Sequence, residues 1–344
     1  MSRFLANYDT NLAVYTLIAV AVDPDTVRIP RIDGVTAMQQ TDSLDQQALA
    51  CAKTYMGSFA WPTVFFALVV FAAYLATIAM GFTGVMPLWL AVPLVAIISY
   101  LAYTVLHEAA HGTISGSVQS RRWINEALGY MAAWVIMIPL TAHRHEHLAH
   151  HRHTNDAQDD PDYHVGDFRN SPFSALTAST KIYWGQFSYY MTQRWQKAPA
   201  RQNLYFCLEI AAALLPRLGL LAAGFWVESL ALFVVAWLLG VTLTLYLFAY
   251  LVHRPHEDVG RYVDTSVILA PRGLNGPLTW LWVFQNYHAI HHLFPRVPFY
   301  QYAKLFAEIE PIMEQKGTPI YRLEMAGLKR RVPVSHSEPV AGAI

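Results

Sequence analysis

INEALGYMAAWVIMIPL, residues 124–140, is the stretch on which the fold turns. It is apolar, and at about 17 residues it sits at the short limit of what spans a bilayer. A histidine cluster stands on either side of it, HEAAH at 107–111 and HLAHH at 147–151, and a third, HAIHH, lies at 288–292. Each cluster spaces its imidazoles by three or four residues, which on a helix puts them on one face. Histidine is the commonest metal-ligating side chain, so three such faces imply a shared metal site. If residues 124–140 crossed the membrane, the first two clusters would lie on opposite sides and no single site could collect both. The stretch is therefore expected to lie in the interface or to re-enter without crossing.

The rest of the chain sets the membrane frame. Its 344 residues are 54% hydrophobic and 14% charged, well below the ~25% charged content of ordinary domains. Four segments fit spanning helices: residues 58–82, 85–106, 204–227 and 230–252. The third contains Glu209 and Arg217, which share roughly one helix face. Charge within a span is costly, so these two are expected to face protein or to lie near an end. Of the 24 Lys and Arg residues, 23 lie outside the spans, all on the side that carries the histidines. The opposite loops, 83–84 and 228–229, are tiny, and the positive-inside rule makes the histidine side cytoplasmic. The expected fold is an all-α integral membrane protein, four transmembrane helices under a cytosolic helical cap that carries the metal site. A segment 1–57 precedes the catalytic domain 58–306, and a cytosolic tail, 307–344, follows it. The apolar stretch 11–22 follows Asp9 without a basic n-region, and reads as an interfacial or packing helix rather than a cleaved signal.

Charge and cysteines exclude other classes. Acidic and basic residues balance at 24 each, which gives no case for nucleic-acid binding. Cys51 and Cys207 form no pair motif, against a disulfide framework, an iron–sulfur site or a CxxC zinc site. HEAAH alone matches the H-E-x-x-H pattern of a zinc metalloprotease, with His107 and His111 as ligands and Glu108 as base. That reading leaves the other two clusters idle. A non-catalytic metal-handling protein would want ionisable groups along a path through the spans, which hold only Glu209 and Arg217.

The pattern HxxxH, HxxHH, HxxHH on a membrane chain resembles the membrane fatty acid desaturase/hydroxylase superfamily, over residues 58–306. The first two boxes are about 40 residues apart, and two spans separate the last two. NYHAIHHLFPRVPFYQY (286–302) and HHRHTNDAQDDPD (150–162) look very like that family. The latter and LVHRPHEDVGRYVDT (251–265) resemble the bacterial carotenoid hydroxylases and ketolases. The resemblance implies a non-haem di-iron centre, two Fe ions with O2 as co-substrate. Its ligands would be His107 and His111; His147, His150 and His151; His288, His291 and His292; and one further histidine after the last span, a place that His253 or His256 would fill. Asp159, Asp160 and Asp162 are candidates to orient ligand imidazoles, with a solvated loop around Pro161 as the alternative. Asn286 is a further candidate, with a turn or cap role as the alternative.

The implied reaction is O2-dependent oxidation of an unactivated C–H bond in a long apolar lipid. It could be desaturation or hydroxylation of an acyl chain, hydroxylation or ketolation of a carotenoid, or oxidative decarboxylation of a fatty acid to a terminal alkene. Trp280, Trp282 and Phe284 suggest an apolar slot or an interfacial belt. The chain has no Gly-rich dinucleotide fingerprint, no cysteine set for a cluster and no HPGG haem segment, so electrons would come from a ferredoxin or cytochrome with its reductase. Arg194, Lys197 and Arg201 are candidates for its docking. The setting would be a bacterial inner membrane, with the metal site on the cytoplasmic side.

Overall fold

The computed structural model describes residues 33–331; the stretch 11–22 and the tail beyond 331 lie outside the described residues. The helices are α1 (Asp33–Lys53), α2 (Trp61–Phe82), α3 (Leu88–His111), α4 (Arg122–Ile136), α5 (Leu140–His153), α6 (Pro172–Tyr189), α7 (Ala200–Ala222), α8 (Trp226–Tyr250), α9 (Asn275–Leu281), α10 (His288–Leu293) and α11 (Tyr302–Gln315). The chain divides into two units, Met1–Asp45 and Gln46–Ile344, and α2 to α11 all belong to the second. Four helices, α2, α3, α7 and α8, are long and apolar enough to cross a membrane.

The spans are inside-out relative to a soluble bundle. On α2 the buried positions are Thr63, Ala67, Val70, Tyr74, Thr77 and Gly81, while Phe65, Leu68, Val69 and Leu75 are exposed. Lipid is as apolar as leucine, so close packing of small residues, not apolar burial, holds such helices together. At the crossing of α3 and α8, a Cβ on Gly240 would stand 2.9 Å from Ser99 Cβ. Helix α3 stops at its histidine box because Gly112 takes a left-handed φ of 70° and turns its N–H back onto Ala109. The first box therefore occupies the last turn of a span.

Residues 124–140 do not form one helix. Helix α4 ends at Ile136, Met137 takes a left-handed φ of 58°, Pro139 follows, and α5 leaves at 93° to α4. A helix broken inside lipid exposes carbonyls at one end and N–H groups at the other, and each must find a partner. Side chains of α6 and α7 supply them. Arg217 Nη2 donates to the Trp134 carbonyl (2.8 Å) and Tyr183 Oη to the Met137 carbonyl (2.7 Å). Glu209 Oε1 accepts from the Thr141 hydroxyl (2.5 Å) and N–H (3.3 Å) at the start of α5. The two charges that the sequence places inside a span thus meet opposite helix ends, base on the negative terminus and acid on the positive one. Arg217 is further held by Tyr74 Oη (3.0 Å) and lies over the Trp134 ring at 4.7 Å.

After α8 the chain adds a feature that its sequence does not suggest, a small sheet. Strand β1 (Val267–Leu269) runs parallel to β2 (Ile320–Glu324), with Val267 opposite Ile320, and β2 pairs antiparallel with β3 (Gly327–Arg330). A three-residue strand is too short to show a period of two, and its partner lies some 50 residues away. Asn286 locks the third box to this sheet: its Nδ2 donates to the Ile268 carbonyl (3.0 Å) and to Thr279 Oγ1 (3.1 Å).

Arg217→Leu strands the Trp134 carbonyl and is expected to lower stability in detergent by about 1–3 kcal/mol. Leu218→Ala, on the exposed face of α7, should change it little. Chemical denaturation of the two variants side by side checks this, and equal stability would show that the clamp carries no energy.

Candidate metal centre

Four chain segments bring imidazoles to one place. His107 and His111 come from the end of α3, His147, His150 and His151 from α5, His253 from the segment just after α8, and His291 and His292 from α10. They form two groups. The ring nitrogens of His107, His111, His147, His151 and His291 lie within 4.8 Å of one another, as do those of His150, His253 and His292. The groups adjoin, since the His151 and His292 rings stack at 4.2 Å. His288 stands at their border, its ring 4.9 Å from that of His253 and 5.2 Å from that of His291. His256 belongs to neither group; its ring stacks on Tyr250 at 5.1 Å.

Most of the rings are oriented through Nδ1, leaving Nε2 for the centre. The Nδ1 atom of His150 meets Asp160 Oδ1 (2.8 Å), that of His253 the Ala249 carbonyl (2.7 Å), that of His288 Gln285 Oε1 (3.1 Å), that of His291 Tyr302 Oη (3.0 Å) and that of His292 Thr154 Oγ1 (3.4 Å). On the inner side, Nε2 atoms crowd: His150 to His253 at 3.0 Å, His253 to His292 at 3.2 Å, His291 to His151 at 2.9 Å. Nitrogens oriented outward by such partners are how proteins fix metal-binding histidines.

Charge tells the same story. Burial, and after it neighbouring imidazoles, hold His147, His151, His288, His291 and His292 well below the usual histidine range. His253 is pushed down to about 3 by burial and then by His150. These rings are neutral at pH 7, the form that binds metal. His150 differs: burial works against its charge, but ionised Asp160 outweighs it and lifts the imidazole to about 9. Asp160 also accepts the Asn155 N–H at 2.7 Å, so it ties the ring to the loop that follows α5.

The donors fit a cation. His107 Nε2 and His111 Nε2 are buried without a hydrogen-bond partner, a costly state that a bound ion relieves. All eight donors are imidazoles, a set suited to iron, zinc, copper or nickel. The half-buried Cys51 and exposed Cys207 are absent from both groups.

The remaining expectations sort by contact. Asp159 is exposed, and its backbone N–H turns to Asp156, so the acid on His150 is its neighbour Asp160. Asp162 is buried with Oδ2 3.9 Å from His150 Nδ1. Asn286 touches no cluster histidine and serves the sheet. Glu108 is turned from the rings: it accepts from Thr63 Oγ1 (3.0 Å) and from the Phe299 N–H (3.0 Å). Thr154 and Tyr302 lie inside the family-like stretches 150–162 and 286–302 and Gln285 just before the latter, but only the fold reveals them as ring partners. Trp282 and Phe284 are buried and Trp280 is exposed.

A narrow apolar slot leads toward the centre between α3, α6 and α8. Ser99, Ile136, Ile182, Trp237, Gly240 and Leu245 line its length, and Tyr103, Asp162 and Gln186 its polar reach. The Tyr103 ring lies 6.1 Å from that of His107.

The model of one family, fatty acid desaturase, matches residues 83–323. The chain belongs to the fatty acid desaturase family. It is a membrane-bound oxidoreductase of the desaturase type, and its histidine groups are those of a metal-dependent enzyme. Among curated proteins it is 24% identical to an sn-1 oleoyl-lipid 12-desaturase of Anabaena variabilis, over 64% of this chain and 69% of that one. It is 22% identical to a fatty acid conjugase of Calendula officinalis, over 67% and 71%. It is 23% identical to a chloroplastic sn-2 acyl-lipid omega-3 desaturase (ferredoxin) of Helianthus annuus, over 62% of this chain and 55% of that protein. The chain thus spans about half the length of the plastid desaturase.

Asp160→Asn keeps the shape of the His150 partner and removes its charge. Metal affinity is expected to fall by about 10- to 100-fold, while Asp159→Asn leaves it unchanged. Titration against a competing chelator measures both, and equal affinities would remove Asp160 from the centre.

Proposed function

We propose that this desaturase-family chain oxidises an unactivated C–H bond of a long acyl chain to an alkene, using two iron ions and O2. The observation that carries the reading is the convergence of eight imidazoles, in two adjoining groups, near the end of an apolar slot. His107, His111, His147, His151 and His291 would hold one iron. His150, His253 and His292, with His288 at the border, would hold the other. When bound, the metal pair supplies the O2-dependent oxidising power that side chains lack.

The chain's own residues do the rest. The Nδ1 partners hold each ring in one tautomer and one orientation. Tyr103 and Phe248, whose rings meet at 4.7 Å, stand beside His107 and keep water from the reacting carbon. The slot's apolar lining suits an acyl tail, and Ser99 of α3 and Gly240 of α8 bound its bore. Gly240 keeps α8 close to α3, which sets that bore. Electrons come from an external carrier, and the ferredoxin in the name of the Helianthus annuus relative supports that class. The distribution of Lys and Arg supports a cytoplasmic metal side, in a bacterial inner membrane. The protease reading loses its base, because both oxygens of Glu108 are engaged by Thr63 and Phe299.

Metal analysis of the purified protein should give two irons per chain; a single zinc lost on changing His107 alone would overturn the proposal. In cells, His291→Ala should abolish the product while leaving the protein in the membrane. Mass spectrometry of extracted lipids reads the outcome: a new double bond supports desaturation, whereas a hydroxyl, a ketone or a shortened terminal alkene overturns that part of it.

A further inference from the structure

The outward face of the helix that carries the second box has no role in holding metal. His147 and His150 point inward and are buried. Beside them, next to His151, Arg144, Leu148 and Arg152 follow one another at intervals of four, which puts them on one stripe. Arg152 is exposed, and Leu148, an apolar residue on a charged surface, is 37% exposed. Beside the stripe opens a polar cavity lined by Arg122, Asn125, Glu126, Arg144, Arg296 and His111. His111 and His151 are half-buried, whereas His107, His147 and His291 are fully buried. Within the first group, His111 and His151 therefore come nearest to the outside.

The charges here are unevenly paired. Arg144 is bound to Glu126 at 2.9 Å. Arg122, Arg152 and Arg296 make no ion pair among the described residues. The acids nearby, half-buried Asp156 and exposed Asp159, lie past the end of α5, where Asp156 is engaged by the loop's own N–H groups. An apolar centre with a cationic rim is the make-up of a transient protein interface that steers by charge.

We propose that this face, Arg122, Arg144, Leu148, Arg152 and Arg296, docks a small acidic one-electron carrier protein over His111 and His151. The inference rests on the oxidoreductase reading, whose O2-dependent oxidation consumes electrons from a carrier. The basic residues Arg194, Lys197 and Arg201 are less suited. Arg201 is engaged by Tyr205, and the neighbouring Gln202 touches His145, which is in neither metal group.

The test uses the iron-loaded full chain in nanodiscs, with a reduced, acidic plant-type ferredoxin as donor. Arg152→Glu with Arg296→Glu should cut ferredoxin-driven turnover about tenfold or more at low salt and flatten its salt dependence. Single-turnover product formation driven by dithionite should stay within about twofold of the unsubstituted chain, since rim charges act on association rather than on the centre. Unchanged ferredoxin-driven turnover overturns the proposal, as does a loss confined to Arg194→Glu with Arg201→Glu. If the double variant fails to take up iron, a salt titration of the unsubstituted chain decides: a rate that does not fall with ionic strength overturns the docking face. Dithionite-driven product with no response to the substitutions leaves the oxidoreductase reading intact, whereas no product under either donor overturns that reading itself.

Discussion

A bilayer tolerates no unpaired backbone group, and the fold depends on how one helix break meets that demand. The first and second histidine boxes share a side only because α4 stops inside the protein and α5 turns off at 93°. Such a break is stable only where the freed carbonyls and N–H groups have partners. Helix α7 brings a guanidinium to one end and a carboxylate to the other, eight residues apart on one face. Both are engaged by the two ends of the break. Their work is to make a turn possible where water is absent.

With the break in place, the metal groups assemble from segments that share little else. Two histidines end a span, three ride the redirected helix, one follows the last span, and the others sit on a six-residue helix locked by Asn286 to a sheet. Order among the rings comes from outside the cluster. Asp160, Gln285, Tyr302, Thr154 and the Ala249 carbonyl each take one Nδ1 and thereby point one Nε2. His147, His151, His253, His288, His291 and His292 are neutral, and His150 is the exception, because Asp160 sets a carboxylate beside it and raises its basicity.

Local pattern carried far in the sequence, and long-range pairing did not. The spans were legible because apolar length is local, and the boxes because helical spacing is local. The expectation that residues 124–140 do not cross followed from a global argument, that three boxes must meet, and histidines of all three boxes do meet. The acid on His150 was less accessible. Asp159, Asp160 and Asp162 are alike in sequence, and only the turn of the loop decides that Asp160 points inward and Asp159 outward. His253 and His256 were likewise equivalent until the chain after α8 turned one ring into the groups and the other onto Tyr250. Glu108 reads as a protease base within HEAAH, yet its partners lie 45 and 191 residues away. The sheet escaped notice for the same reason, since β1 and β2 are short and far apart in the chain.

That sheet bears on the order in which the molecule is made. Strand β1 holds the third box through Asn286, and β1 is itself paired with residues 320–324, near the end of the described chain. Contacts of such sequence separation form late. The third box therefore reaches its final place only after residues 320–324 have been made. Synthesis of the first two boxes and completion of the histidine cluster are thus separated in time.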